Sequence, residues 1–103
     1  MDFYIYILYS EKANKYYIGH TSDVNRRLFE HNNPEKSTKF TAKYLPWTLV
    51  TGFLVSQYRG QAIAVERFIK KQKSRNFILK IIQNSSNRIF IDEIIDLANK
   101  KNH

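Results

Sequence analysis

The sequence predicts an α/β (α+β) domain in which helices flank a small, mostly antiparallel three-stranded sheet. Its 103 residues are enough for one hydrophobic core and leave no room for a second. Residues 3–9 are almost all β-branched or aromatic on both faces, which is typical of a central strand covered from above and below. From about residue 61 the apolar residues recur at helical spacing. These features predict the order ββαβαα, followed by a C-terminal helix.

The first two strands are predicted to form a hairpin. Residues 3–9 place odd-numbered side chains on one face and even-numbered side chains on the other. The polar stretch 10–15 contains Asn14, a residue typical of turns. Residues 16–19 resume the strand pattern, so we expect the hairpin to end at Gly19.

Each predicted helix combines an apolar stripe with a polar side chain or a breaking sequence at its ends. A polar residue within 21–23 can cap the first helix, and Ser74 can cap the third. Residues 34–46 are predicted to be a polar loop, and residues 47–55 the third strand. The helices are predicted over residues 23–32, 61–72, 75–83 and 90–100.

The chain is strongly basic, with a formal net charge of +8 at pH 7. This charge favours polyanionic partners, with nucleic acid first among them. Residues 61–83 hold six basic residues against one acidic residue, which places the basic surface on the second helix and the turn after it. The absence of cysteine excludes disulfides, thiolate zinc sites and cysteine nucleophiles. No apolar run is long enough for a transmembrane helix and no signal peptide is visible, so we expect a cytoplasmic, nucleoid-associated protein without membrane contact.

Five residues in the first third of the chain could together handle a phosphate group. Tyr6 and Tyr17 lie on adjacent hairpin strands, and Gly19 lets a backbone or a ligand approach closely. Arg27 and His31 are four residues apart, so their side chains share one helix face. The same residues also fit ordinary roles, as core aromatics, a turn glycine and a solvated helix face.

The motifs Y-I-Y, Y-I-G and R-L-F-E-H, followed by A-x-x-x-E-x-x-I-K and K-S-R, resemble the GIY-YIG nuclease superfamily. The resemblance covers about residues 3–83 and is greatest to small stand-alone bacterial members, with the nuclease domain of the excision-repair incision subunit at longer range. It implies a nuclease domain over residues 1–83 and a C-terminal helical extension over 84–103, packed on the same domain. It also implies a metal-dependent endonuclease that hydrolyses phosphodiester bonds of structured or damaged DNA in repair or recombination.

The resemblance implies a role for each site residue. Tyr6 is the tyrosine of the first tripeptide, and Tyr17 is that of the second. Arg27 neutralises the scissile phosphate, and His31 lies near the nucleophile. Glu66 holds one divalent metal ion, Mg²⁺ or Mn²⁺. The general base stays open among Tyr6, Tyr17 and His31, and the ordinary histidine pKa of about 6.5 suits the last without further help.

The sequence departs from the family pattern at two points. Tyr4 stands where the first tripeptide has glycine, and neither Asn76 nor Asn84 lies at the spacing of the active-site asparagine that many members carry. Glu66 also has an ordinary interpretation, since Lys70 follows it by four residues and the two could form a surface ion pair.

Further residues are assigned by charge and position. His20 and His103 are expected to be incidental. The aromatic residues Phe40, Tyr44 and Trp47 are expected to cover the core in preference to stacking on bases. The predicted nucleic-acid contacts are Gly19, Arg26, Arg67, Lys70, Lys71, Lys73 and Arg75.

Two other functions compete with the nuclease. One is a nucleic-acid-binding module of the same fold with weak or no activity. The other is a partner-binding protein whose C-terminal helix forms a dimer or docking surface through Ile91, Ile94 and Ile95, although that stripe more simply caps the core. For the nuclease we expect duplex or branched DNA as substrate and a monomer or weak homodimer.

Overall fold

The computed structural model describes residues 1–100, apart from the side chain of Lys39. Its three strands follow the order β2-β1-β3, and both pairs are antiparallel. The predicted sheet with its first strand at the centre is confirmed. The elements are β1 Phe3–Ser10, β2 Lys15–Thr21, α1 Val24–Asn32, α2 Lys39–Ala42, β3 Thr48–Ser56, α3 Arg59–Lys71, α4 Arg75–Gln83 and α5 Arg88–Lys100.

The central strand is apolar on both faces because each face packs against its own cluster. Ile5 and Ile7 are fully buried in the main core, with apolar side chains of α3, α4 and α5. Tyr6 and Leu8 point to the other face, where Trp47 completes a smaller cluster beside α1. The helices that carry the site residues therefore lie on opposite faces of one thin sheet.

Two predictions about local structure are wrong. The hairpin does not end at Gly19, since β2 continues to Thr21 and Gly19 pairs with Tyr6. The stretch predicted as a polar loop contains the short helix α2, which its polar composition hid. The Thr38 hydroxyl caps this helix by accepting from the backbone N–H of Thr41.

Polar side chains fix the ends of the helices next to the site. Asp23 accepts from the backbone N–H of Arg26 at the start of α1, and Ser74 caps α4 as predicted. At the other end of α1 the Asn32 amide forms two hydrogen bonds with the backbone of Trp47. These bonds tie α1 to the start of β3 and hold its inner face against the sheet.

The C-terminal helix belongs to the main core. Ile91 and Ile94 of α5 are 0% and 5% exposed, so the residues considered for a docking surface are used within the chain. The end of the predicted extension, His103 included, lies outside the described residues. Within residues 1–100, none of the helices has the length and apolar character needed to cross a bilayer.

Candidate active site

Tyr6 lies at the centre of the candidate site. The register of the sheet sets it between Gly19 of β2 and Gly52 of β3. A Cβ added to Gly19 would overlap the Tyr6 phenol, so the missing side chain gives room to this ring. That space was predicted to receive a backbone or a ligand, whereas in the structure the Tyr6 side chain occupies it.

Tyr6 and His31 form a buried polar pair. The Tyr6 hydroxyl lies 2.8 Å from Nε2 of His31, and the two residues are 1% and 0% exposed. Among the described residues, Nδ1 of His31 finds no hydrogen-bond partner. Burial, helped by the nearby Arg27 charge, lowers the His31 pKa to about 4. The imidazole is therefore neutral at pH 7, and the assumption of an ordinary histidine pKa is wrong.

The acidity of Tyr6 is also set by its surroundings. Burial raises the pKa of Tyr6 well above its ordinary value, and the neighbouring Tyr17 adds to this effect. Arg27 lowers the pKa of Tyr6, but by less than burial raises it. A phenolate would need a nearby cation, and Arg27 is that cation, yet the Tyr6 phenol stays protonated near neutral pH.

Arg27 projects from α1 toward the same place. Its guanidinium donates to Oε1 of Glu30 at 3.0 Å, and 28% of its side chain is exposed. Partial burial opposes its charge, but Glu30 and the Tyr6 hydroxyl prevail and raise the pKa of Arg27. The fork keeps further N–H donors for an incoming anion. Arg26, the neighbouring residue, is exposed on the surface of α1.

Tyr17 connects the buried pair to α3. Its ring centroid lies 4.8 Å from that of His31 and 6.3 Å from that of Tyr6. On the other side, Nζ of Lys70 lies 5.5 Å from the Tyr17 centroid. Because Tyr17 is only half-buried, it brings a phenol of the inner cluster to the surface.

Glu66 stands on α3 with both carboxylate oxygens engaged. Oε2 accepts from Nζ of Lys70 at 2.8 Å, and Oε1 lies 2.7 Å from Nδ1 of His20. Burial alone would raise the pKa of Glu66, but these two partners prevail and lower it. The ion pair expected from the i,i+4 spacing is therefore present, and its Lys70 partner also lies over the Tyr17 ring.

His20 is the site residue that sequence reasoning missed. It was expected to be incidental, yet its imidazole contacts Glu66 directly. The signal lay in the strand alternation, because His20 shares a face of β2 with Ile18, and α3 packs on that face. Recognising that contact requires knowing which helix covers which face of the sheet.

The ionised carboxylate of Glu66 is of the type that can bind a divalent cation, although Lys70 and His20 contact both of its oxygens. An ionised carboxylate is the oxygen ligand that Mg²⁺ prefers, and Mg²⁺ is often held by one or two carboxylates with several waters retained. Within residues 1–100, no group of three or more His, Asp or Glu side chains could hold a metal ion, and Glu66 is the carboxylate that the family resemblance assigns to it. Lys70 is 47% exposed and can move away from Oε2.

The basic residues of the second half of the chain do not form one surface. Lys70, Lys73 and Arg75 line a groove of about 560 Å³ beside β2, next to Tyr17. Arg67 and Lys71 line another groove, of about 550 Å³, between α3 and the end of α5. All five were predicted to share a single nucleic-acid-binding surface, because spacing along the chain does not show which face of α3 each one takes.

Similarity to known proteins identifies the family of this chain. The family model of the GIY-YIG catalytic domain matches residues 2–79, which is more than half of the chain. The chain belongs to the GIY-YIG family. A UPF0213 protein of Streptococcus pneumoniae serotype 4 (strain TIGR4) is 36% identical to this GIY-YIG domain over 72 residues, which is 68% of each chain. A UPF0213 protein of S. pneumoniae strain R6 matches equally well, and no solved structure matches. The GIY-YIG domain is a nuclease domain, which indicates that the protein is a DNA endonuclease.

Proposed function

We propose that this protein is a metal-dependent endonuclease that hydrolyses DNA phosphodiester bonds in the cytoplasm, on structured or damaged DNA during repair or recombination. One observation carries the proposal. The Tyr6–His31 pair, Tyr17 and Arg27 meet on one side of β2, and Lys70 connects Tyr17 to the charged carboxylate of Glu66.

Arg27 is proposed to bind the scissile phosphate. Its guanidinium is charged, partly exposed and held in place by Glu30. A planar fork matches two phosphoryl oxygens and offsets the charge that develops on them during attack.

Tyr17 is proposed to orient the attacking water. Tyr6 and His31 are almost fully buried and stay uncharged near pH 7. Tyr17 alone of the three candidates for the base is only half-buried. Tyr6 and His31 then support the Tyr17 ring and hold it in position.

Glu66 is proposed to hold one Mg²⁺ or Mn²⁺ ion, which when bound would act as a Lewis acid toward the leaving 3′ oxygen. His20 keeps Oε1 in a fixed position, and Lys70 neutralises Oε2 until the ion takes its place. The products would carry 5′-phosphate and 3′-hydroxyl ends.

A nucleic-acid-binding module with weak or no activity is the second candidate. The observation that favours it is the engagement of both Glu66 oxygens by Lys70 and His20, which leaves the carboxylate without a free oxygen in this arrangement. Cleavage that requires a metal, with binding that does not, separates the two functions.

The test compares the wild type, Glu66→Gln and Glu93→Gln on labelled duplex, forked, four-way and single-stranded DNA. Glu93 is an exposed residue of α5 and provides the same chemical change away from the site. We expect nicking in Mg²⁺ or Mn²⁺ but not in EDTA, lost in Glu66→Gln and kept in Glu93→Gln, with DNA binding kept in both variants. No cleavage by the wild type, together with metal-independent binding, would favour the binding module.

A further inference from the structure

The groove beside β2 adjoins the candidate active site and is large enough for a ligand of its own. Its volume of about 560 Å³ lies within the range of roughly 300–1,000 Å³ that is typical of small-molecule sites. It lies along the edge strand β2, between Phe40 of α2 and the turn from α3 to α4. Tyr17 and Lys70 belong both to the groove and to the candidate active site. A nucleic-acid strand bound in the groove would therefore lead to the candidate active site.

The groove is a cationic surface. Lys15, Lys70, Lys73 and Arg75 line it, and none of the described residues that line it is acidic. The Arg75 guanidinium is fixed by donating to the side-chain and backbone oxygens of Asn14. Such an array attracts phosphates without regard to base sequence.

Between these cations the lining of the groove is mostly apolar. Ile18, Ile69 and Ile78 line it together with Tyr17 and Phe40. Phe40 is 44% exposed, whereas Trp47 of the same aromatic group is buried in the core. The whole group was predicted to cover the core. Phe40 instead offers part of its ring to a ligand in the groove.

We infer that this groove binds an unpaired segment of the DNA strand that leads to the scissile phosphate. Aromatic and aliphatic walls bind the faces of bases, and the faces are accessible only where the strand is not paired. A duplex would present phosphates and base edges instead. Oδ1 of Asn14, the amide side chain in the groove, already accepts from the Tyr9 hydroxyl and the Arg75 guanidinium, so this oxygen is not free to read a base edge. The inference deepens the proposed function and rests on it for the position of the scissile bond.

The test measures binding in EDTA by fluorescence anisotropy, so that cleavage plays no part. The probes are a labelled oligothymidylate, and an abasic oligodeoxynucleotide, an oligouridylate and a DNA duplex of the same length. The groove variants are Phe40→Ala and Lys73→Gln. Their matched controls are Tyr58→Ala, since Tyr58 is 67% exposed and outside the groove, and Lys80→Gln, since Lys80 lies over the Phe90 ring.

We expect oligothymidylate to bind more tightly than the abasic strand or the duplex. Phe40→Ala should weaken oligothymidylate binding about five-fold or more and leave abasic binding unchanged, because only the stacking contact is lost. Lys73→Gln should weaken both single strands and reduce the log–log salt slope by about 0.7, the value for one phosphate contact on a single strand. Tyr58→Ala and Lys80→Gln should change each affinity by less than two-fold.

Any of the following binding results would overturn the inference. They are equal affinity for the abasic strand and oligothymidylate, equal loss in the control variants, and tighter Phe40-dependent binding of oligouridylate than of oligothymidylate. The last would assign the groove to RNA. If no substrate is cleaved but the Phe40-dependent preference holds, the nuclease proposal fails and the groove stands. If duplex DNA is cleaved and Phe40→Ala alters no single-strand affinity, the nuclease stands and the groove assignment fails.

Discussion

Replacement of Gly19 by alanine tests the packing at the centre of the site. The added methyl would overlap the Tyr6 ring, so the phenol must shift away from β2. That shift would break the 2.8 Å contact between the Tyr6 hydroxyl and Nε2 of His31. We expect the substitution to lower the free energy of unfolding, although the backbone of Gly19 has no positive φ that would itself exclude alanine.

The expected magnitude combines three effects. Inserting a methyl into a filled core costs about 1–3 kcal/mol. Losing a hydrogen bond between buried groups adds about 1 kcal/mol. Alanine in a strand returns about 0.5–1 kcal/mol relative to glycine. The net loss of roughly 1–3 kcal/mol corresponds to a Tm lowered by about 5–20 °C in a domain of this size.

Gly52→Ala is the matched control, because Gly52 flanks Tyr6 on the other neighbouring strand. A Cβ there would meet its nearest atom, the backbone oxygen of Ile5, at 3.4 Å, which is an ordinary contact. Thermal unfolding should show an unchanged or slightly raised Tm for this variant. In a Tyr6→Leu background, Gly19→Ala should cost less than about 0.5 kcal/mol. If Gly19→Ala unfolds at the wild-type temperature, Tyr6 is not packed against β2 as described.

Three further predictions concern the charged groups. The His31 pKa is about 4 in the folded chain against 6.5 in the unfolded chain, so stability should be full above pH 6.5 and fall by up to about 3 kcal/mol as the pH drops to 4. In His31→Gln the free energy of unfolding should lack this pH-dependent loss. If urea unfolding gives the same pH dependence for the variant and the wild type between pH 4 and 7.5, His31 is not the group responsible. Arg27→Ala should lower kcat about 10²–10³-fold with most DNA affinity kept, because its donors bind charge that develops in the transition state; single-turnover cleavage measures this, and a loss confined to KM would argue against the role. His20→Ala should raise the pKa of Glu66 by removing one of the hydrogen bonds that lower it, which carboxyl-carbon NMR titration would detect.

Much of the fold follows from local patterns in the sequence. The apolar faces of β1 predicted a central strand, and Ser74 marked the start of α4, because alternation and capping depend on residues near one another in the chain. The boundaries of β2 and the helix α2 were not predicted. Gly19 resembles a turn until the register pairs it with Tyr6, and α2 is too short to show a period.

The residue types of the candidate site, and the order along the chain that indicated the family, are visible in the amino-acid sequence. How those residues behave depends on the packing of the folded chain. Burial of His31 makes it a weak base, and the covering of β2 by α3 brings His20 to Glu66. The packing of α3 also divides the basic residues between two grooves. The physical reason is that burial, desolvation and contacts between distant strands and helices depend on which faces meet, and periodicity along one segment carries no information about its partner.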